Sequence, residues 1–145
     1  FMILISDIEH AFLLANQIPE FTGDFDYQAM IEKIGGRKFL SLVYVINDTP
    51  VAFKLGYELS STEFYSWLGG VVPGHRGYGI AKKLLLKQES WAREQGYSVI
   101  RVKSMNDFPE MLCMLISNGY LINDISNKDS SKDLKIHFYK KISGA

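Results

Sequence analysis

The sequence predicts an α+β fold, a β-sheet with helices on both faces. Seven short runs rich in Val, Ile, Leu, Phe and Tyr have the length and composition of strands, and four stretches carry apolar residues at helical spacing. In order they read β-α-α-β-β-β-α-β-α-β-β, without the strict alternation of a doubly wound parallel sheet. The chain has 145 residues, of which 47% are hydrophobic and 22% charged, so one domain over 1–145 is expected. Folding at this length buries roughly 68–70% of the unfolded surface, enough for a full core.

Met2 to Ile5 reads as the first strand. Ser6 or Asp7 then caps a helix whose apolar positions Ile8, Ala11, Phe12, Ala15 and Ile18 follow the 3.6-residue period, and Pro19 stops it. Phe21 to Phe25 reads as loop, with Gly23 and Asp24 as turn residues. Tyr27 to Ile34 is a second short helix, closed by Gly35-Gly36. Phe39 to Ile46 and Val51 to Leu59 are strands joined by the turn Asn47-Asp48-Thr49-Pro50, and so form a hairpin. Ser60-Ser61-Thr62 turns into the fourth strand, Glu63 to Val72. The pair Gly69-Gly70 inside it predicts a bulge, or a close approach by another backbone or a ligand.

The next helix, Lys82 to Gln95, sets Ile80, Leu84, Leu85, Gln88, Trp91 and Ala92 on one side. Lys82, Lys83, Lys87, Glu89 and Arg93 fall mostly on the other, and Gly96 ends it. Tyr97 to Ser104 is a strand. Asn106 to Glu110 opens the last helix, with Asp107 and Glu110 spaced as a capping box and Pro109 in the first turn. Met111, Leu112, Leu115 and Ile116 give its apolar face, and Cys113 beside them reads as a buried small apolar residue. Tyr120 to Ile125 and Leu134 to Ile142 are the last strands, joined by the polar turn Ser126 to Asp133, in which Lys128 to Lys132 reads as solvated.

Sixteen basic residues cancel sixteen acidic ones, which argues against nucleic acid as the main partner. No apolar run approaches the roughly 20 residues that span a bilayer, so no membrane association is expected. One cysteine cannot form an internal disulfide, and with no signal-peptide pattern a reducing cytoplasm is expected. His10, His75 and His137 lack metal-ligand spacing, and no metal is expected.

The chemistry concentrates in Val71-Val72-Pro73-Gly74-His75-Arg76-Gly77-Tyr78-Gly79-Ile80-Ala81, where a strand passes through a glycine-bearing turn into a helix. Such a turn presents N–H groups at the positive end of a helix, a site for phosphate or pyrophosphate. A Walker loop would close on Gly-Lys-Ser/Thr, which is absent. A dinucleotide fingerprint would stand at the first βα turn with other glycine spacing.

The stretch resembles the acetyl-CoA loop of the GNAT N-acetyltransferases, Gln/Arg-x-x-Gly-x-Gly/Ala, at Arg76, Gly79 and Ala81. Val72-Pro73 upstream, Asn106 after the next strand and Gly119-Tyr120 after the last helix are also similar to that family, so the resemblance spans nearly the whole chain. It implies a twisted, mostly antiparallel seven-stranded sheet splayed between strands four and five. It implies acetyl-CoA as cosubstrate, bound by Val71, Val72, Arg76, Gly77, Tyr78, Gly79, Ile80, Ala81, Lys82 and Asn106. Val71 and Val72 would offer backbone groups to the pantetheine arm, lying like an extra strand in the splay. Asn106 would bond the arm from the other side. Read alone, Asn106 is equally a turn or cap residue.

The implied reaction is direct acetyl transfer in a ternary complex to a primary amine of a small molecule or peptide. A homodimer is one arrangement the resemblance allows. An alkyl amine is neutral in roughly one molecule per 2,500 at pH 7, so a general base helps. Glu63, thirteen residues before Arg76, is similar in spacing to the catalytic glutamate of the histone-acetylating branch, with Glu58 in reserve. The plainer reading of Glu63 is a solvated strand-start residue. Backbone N–H groups near Gly70 and Val71 would stabilise the oxyanion. Tyr57, Tyr65 and Trp67 either wall the acceptor pocket or form an aromatic core face, and Phe21, Phe25 and Tyr27 lie where similar proteins shape the acceptor site. The family's acid tyrosine, four residues before the glycine, is replaced by Leu115. That departure keeps a second reading open, an acyl-CoA-binding domain without turnover.

Overall fold

The structure, a computed structural model, describes residues 1–21, 26–127 and 134–143. The expectations at Gly23, Asp24 and Phe25, and for the charged turn over 128–132, lie outside the described residues. The elements are β1 (Met2–Ile5), α1 (Ile8–Ala15), α2 (Tyr27–Ile34), β2 (Phe39–Ile46), β3 (Thr49–Glu58), β4 (Glu63–Val71), α3 (Ile80–Glu94), β5 (Val99–Ser104), α4 (Pro109–Ser117), β6 (Leu121–Ser126) and β7 (Lys135–Lys141). The strands form one sheet in the order β1-β2-β3-β4-β5-β7-β6. Every neighbouring pair is antiparallel except β4–β5, where α3 supplies the crossover a parallel pair requires. The α+β expectation, helices on both faces, holds.

Two cores flank the sheet. Leu40, Leu42, Phe64, Leu84, Leu85, Ile100 and Phe138 belong to the one under α3 and α4. Ala11, Leu14, Met30, Ile34, Val43, Phe53 and Leu55 belong to the one under α1 and α2. A sheet buried on both faces explains why β2 and β3 read as near-continuous apolar runs, interrupted by Ser41 and Lys54. No described helix is long and apolar enough to cross a membrane.

Several local expectations are corrected by specific contacts. Asp7 caps α1 by accepting a hydrogen bond from the His10 N–H at 2.9 Å, but the helix ends at Ala15, before Ile18. Its hydrogen bonds tighten there to the three-residue kind, Gln17 N–H to Leu14 O and Ile18 N–H to Ala15 O. Ile18 is still buried, carried inward by the turn before the 3₁₀ segment Pro19–Phe21. The β2–β3 turn is two residues long, with Asn47 and Asp48 both at positive φ, the hairpin geometry that matches strand twist. Pro50, which has no N–H to give, is therefore inside β3, beside a register shift that skips Val51.

The bulge in β4 is at Trp67, not at Gly69-Gly70: Leu55 faces Leu68 while Gly56 faces Ser66. Gly69 and Gly70 stay in register opposite Lys54 and Phe53. The close approach at Gly70 comes from the α1 side, where an added Cβ would lie 2.7 Å from Ile18 Cδ1 and 3.1 Å from Phe21 Cε2.

α3 begins at Ile80, two residues before Lys82, and Glu89 is not on its solvent side. Glu89 is buried, accepting a hydrogen bond from the Tyr120 hydroxyl at 2.9 Å and pairing with Lys140 Nζ at 3.0 Å. A buried carboxylate persists because both oxygens have donors. α4 starts at Pro109 with Phe108 before it and no side-chain cap, so the Asp107–Glu110 box does not form. Proline at the first helical position sets the start instead. Cys113 is exposed: Leu115 takes the buried side of α4, and two residues turn a helix by roughly 200°.

Candidate active site

β4 and β5 pair only from Glu63↔Val99 to Ser66↔Val102. Beyond that, β4 stays with β3 as far as Ala52↔Val71, and β5 stays with β7 as far as Ser104↔Ile136. The two strands therefore part, and their facing edges lose ladder partners. Alternate residues of a strand turn their backbone groups to opposite neighbours. Val72 donates its N–H to Val51 O at 2.8 Å, toward β3, and its carbonyl accepts from His75 N–H. Val71 and Gly69 consequently face the opening. Of the expected pair Val71 and Val72, only Val71 offers backbone there, and its carbonyl accepts from Arg76 Nε at 2.9 Å. Asn106 lies exposed in the turn that follows β5.

A 3₁₀ turn, Pro73–His75, leads from the strand into the loop. Gly77 and Gly79 have φ of 85° and 78°. Nothing lies within 4 Å of a Cβ at either position, so glycine is there for backbone conformation and not for space. Gly79 caps α3 without a side chain, and the first turn carries no acid. The first intrahelical bond is Lys83 N–H to Gly79 O, so the Ile80, Ala81 and Lys82 N–H groups have no helical acceptor. Lys82 and Lys83 stand exposed beside them, where cations oppose the helix dipole and favour an anion. Ile80 is buried and anchors the helix start, while Tyr78 is 75% exposed. The Arg76 guanidinium turns away to Glu20 Oε2 at 2.6 Å, tying the loop to the Pro19–Phe21 turn.

Two cavities flank the opening. One of about 30 Å³ is lined by Lys54, Gly69, Gly70, Val71, Ala81, Leu84, Met111 and Met114, beside α3 and α4. The other, about 600 Å³, is lined by Tyr57, Tyr65 and Trp67 together with Arg101, Lys103, Asp124 and His137. Tyr57 meets Tyr65 and Trp67 edge-on at 5.4 and 5.8 Å, so these rings both pack on the α1–α2 core and wall the cavity.

Glu63 sits at the closed end of the β4–β5 pair. Both its oxygens accept from Arg101, at 2.9 and 3.1 Å, and those hydrogen bonds hold its carboxyl below the usual range. Glu58 accepts from the Tyr97 hydroxyl at 2.8 Å. Leu115 is buried. Among the described residues, no group of three His, Cys, Asp or Glu side chains is placed to hold a metal.

Sequence reasoning passed over Lys54. It is 6% exposed, and burial pulls its ammonium down to about 8. The signal was present: a lysine inside Val51-Ala52-Phe53-Lys54-Leu55, a run otherwise apolar.

This arrangement is that of an acetyltransferase fold, and the sequence model of the acetyltransferase (GNAT) family matches residues 5–109. The chain belongs to the GNAT acetyltransferase family. Solved structures agree on the fold. The ribosomal-protein-S18-alanine N-acetyltransferase from Escherichia coli superposes with a TM-score of 0.82 at 17% identity, over 99% of this chain and 96% of that one. The aminoglycoside 6'-N-acetyltransferase from Enterococcus faecium gives 0.77 at 15% identity, over 100% and 99%. The protein yncA from Salmonella typhimurium, solved with its cofactor acetyl-CoA, gives 0.77 at 14% identity, over 99% and 95%. No curated protein sequence matches the chain.

Proposed function

We propose that the protein is an N-acetyltransferase that moves the acetyl group of acetyl-CoA directly to a primary amine of a small molecule or peptide. One observation carries this reading. The opened β4 edge at Gly69 and Val71 leads straight into the uncapped, lysine-flanked start of α3. An extended arm with amide groups fits the first, and a pyrophosphate fits the second. The residues present suit that donor: the Gly77 and Gly79 backbone, the N–H groups of Ile80, Ala81 and Lys82, and Asn106 across the gap. The two neighbours that act on a ribosomal-protein alanine and on an aminoglycoside support an amine acceptor. The aromatic cavity at Tyr57, Tyr65 and Trp67 is where we place it.

The amine must lose a proton as it attacks. Glu63, whose carboxyl Arg101 holds below the usual range, is the candidate base and acts through water. Donors on the β4 edge stabilise the oxyanion as it forms. The exposed thiol of Cys113 fits a reducing compartment such as the cytoplasm. The second reading, binding without turnover, draws on the buried Leu115 at the acid position. Release of free thiol from acetyl-CoA across a panel of amines and amino-terminal peptides decides between them. Amine-dependent thiol release supports transfer; tight binding with none over the whole panel supports the second reading.

A further inference from the structure

We propose that Lys54 holds its ammonium against the departing thiolate of the acyl donor and stabilises it, in a chain that has Leu115 in place of the proton-giving tyrosine. The inference rests on the acetyl-CoA reading above.

Lys54 stands on β3 directly opposite Gly69 and lines the small cavity under the opened edge of β4. A Cβ at Gly69 would lie 3.5 Å from Lys54 Nζ, so the glycine keeps the strand edge bare where the ammonium reaches it. Lys54 is largely buried, and among the described residues Glu89 on α3 is the acid whose charge acts on it. That carboxylate is already engaged by the Tyr120 hydroxyl, by Lys140 on β7 at 3.0 Å and by Arg93 on α3 at 3.7 Å. Ser66 Oγ and both amide atoms of Gln88 are also buried without partners. An added Cβ at Gly56, which faces Ser66, would lie 3.0 Å from Gln88 Nε2. A largely buried cation at the opened strand edge, with two unpartnered buried polar side chains farther along beside Gly56, marks a place suited to a polar group.

The group that fits is a transient anion. As the amine nitrogen bonds to the acetyl carbon, the carbon–sulfur bond breaks and its electron pair stays on sulfur. Sulfur leaves as a thiolate paired with the Lys54 ammonium. The proton shed by the amine nitrogen passes to water, and the thiolate takes one from water as coenzyme A departs, so protons balance over the cycle. At about 8, the ammonium is still the main form at neutral pH and can hold the opposite charge. Leu115 has no proton to give.

The test reads the thiol and needs no acceptor. Coenzyme A is bound to wild type and to Lys54→Met, and its thiolate is titrated by ultraviolet absorbance, with desulfo-coenzyme A as the blank. In wild type the ammonium should raise the thiolate-to-thiol ratio of bound coenzyme A about tenfold or more over free coenzyme A at the same pH, as an opposite charge at close range does. In Lys54→Met the ratio should fall to the free value or below. Identical titrations in the two proteins would overturn the role of Lys54 and leave the donor reading standing. Failure of coenzyme A to bind wild type would overturn both.

Discussion

A lysine ammonium at Lys54 pays a desolvation cost that a methylene chain in its place would not. Its value is depressed from 10.5 to about 8, so the folded protein binds the proton less tightly than the unfolded chain. Below pH 8 both states carry the proton and the full penalty applies, about 3 kcal/mol from the shift alone. Between pH 8 and 10.5 the unfolded chain holds more protons, so stability rises with pH through that window. Lys54→Met should therefore unfold at higher denaturant than wild type at pH 7, with the gap closing toward pH 10.5. A variant no more stable at pH 7 would mean that the ammonium is not desolvated. Glu63 is the opposite case, a carboxyl held low by Arg101 and thus a weak base. Glu63→Gln should slow amine-dependent thiol release by about tenfold to a hundredfold, at or below the low end for general-base groups. An unchanged rate would assign the proton to water alone.

At the scale of elements, the fourth strand decides where the sheet opens. Its pairing with β5 stops at Ser66, and Trp67 bulges immediately after. The twist of that bulge swings the rest of the strand away from β5. Gly56 holds the bulge in place. A Cβ there would sit 2.5 Å from both Phe64 Cε2 and Tyr65 O, and backbone cannot yield as a flexible side chain can. Gly56→Ala should cost about 3 kcal/mol in chemical denaturation, the upper part of the overpacking range. A cost under about 1 kcal/mol would show that the strand relaxes freely. The strand–turn–helix order was legible because glycines and a proline punctuate it. The bulge position was not, because the glycine that fixes it, Gly56, is on the neighbouring strand. The Gly69-Gly70 pair is conspicuous in sequence, but the neighbours of Gly70, Ile18 and Phe21, come from a distant turn.

Over the whole molecule, the sheet carries the uncapped start of α3 and an aromatic cavity on the α1–α2 face, with the strand opening between them. Fold class, the order of elements along the chain and the loop from Val71 to Ala81 could be read from periodicity and from resemblance, since both are local in sequence. Burial of Glu89 could not. It looks like a surface residue until Tyr120 and Lys140 are placed around it, whereas the apolar run around Lys54 did mark that lysine as buried. The measurement that bears most directly on the account is titration calorimetry of acetyl-CoA into wild type and Gly79→Asp. Gly79 adopts φ of 78° with nothing within 4 Å of its Cβ position, a conformation that Asp tolerates better than most residues. The variant should keep its circular dichroism while placing a carboxylate at the start of α3. Saturable binding by wild type, lost in a folded Gly79→Asp, is the expected result; equal affinity in the two proteins would contradict a donor site at the start of α3.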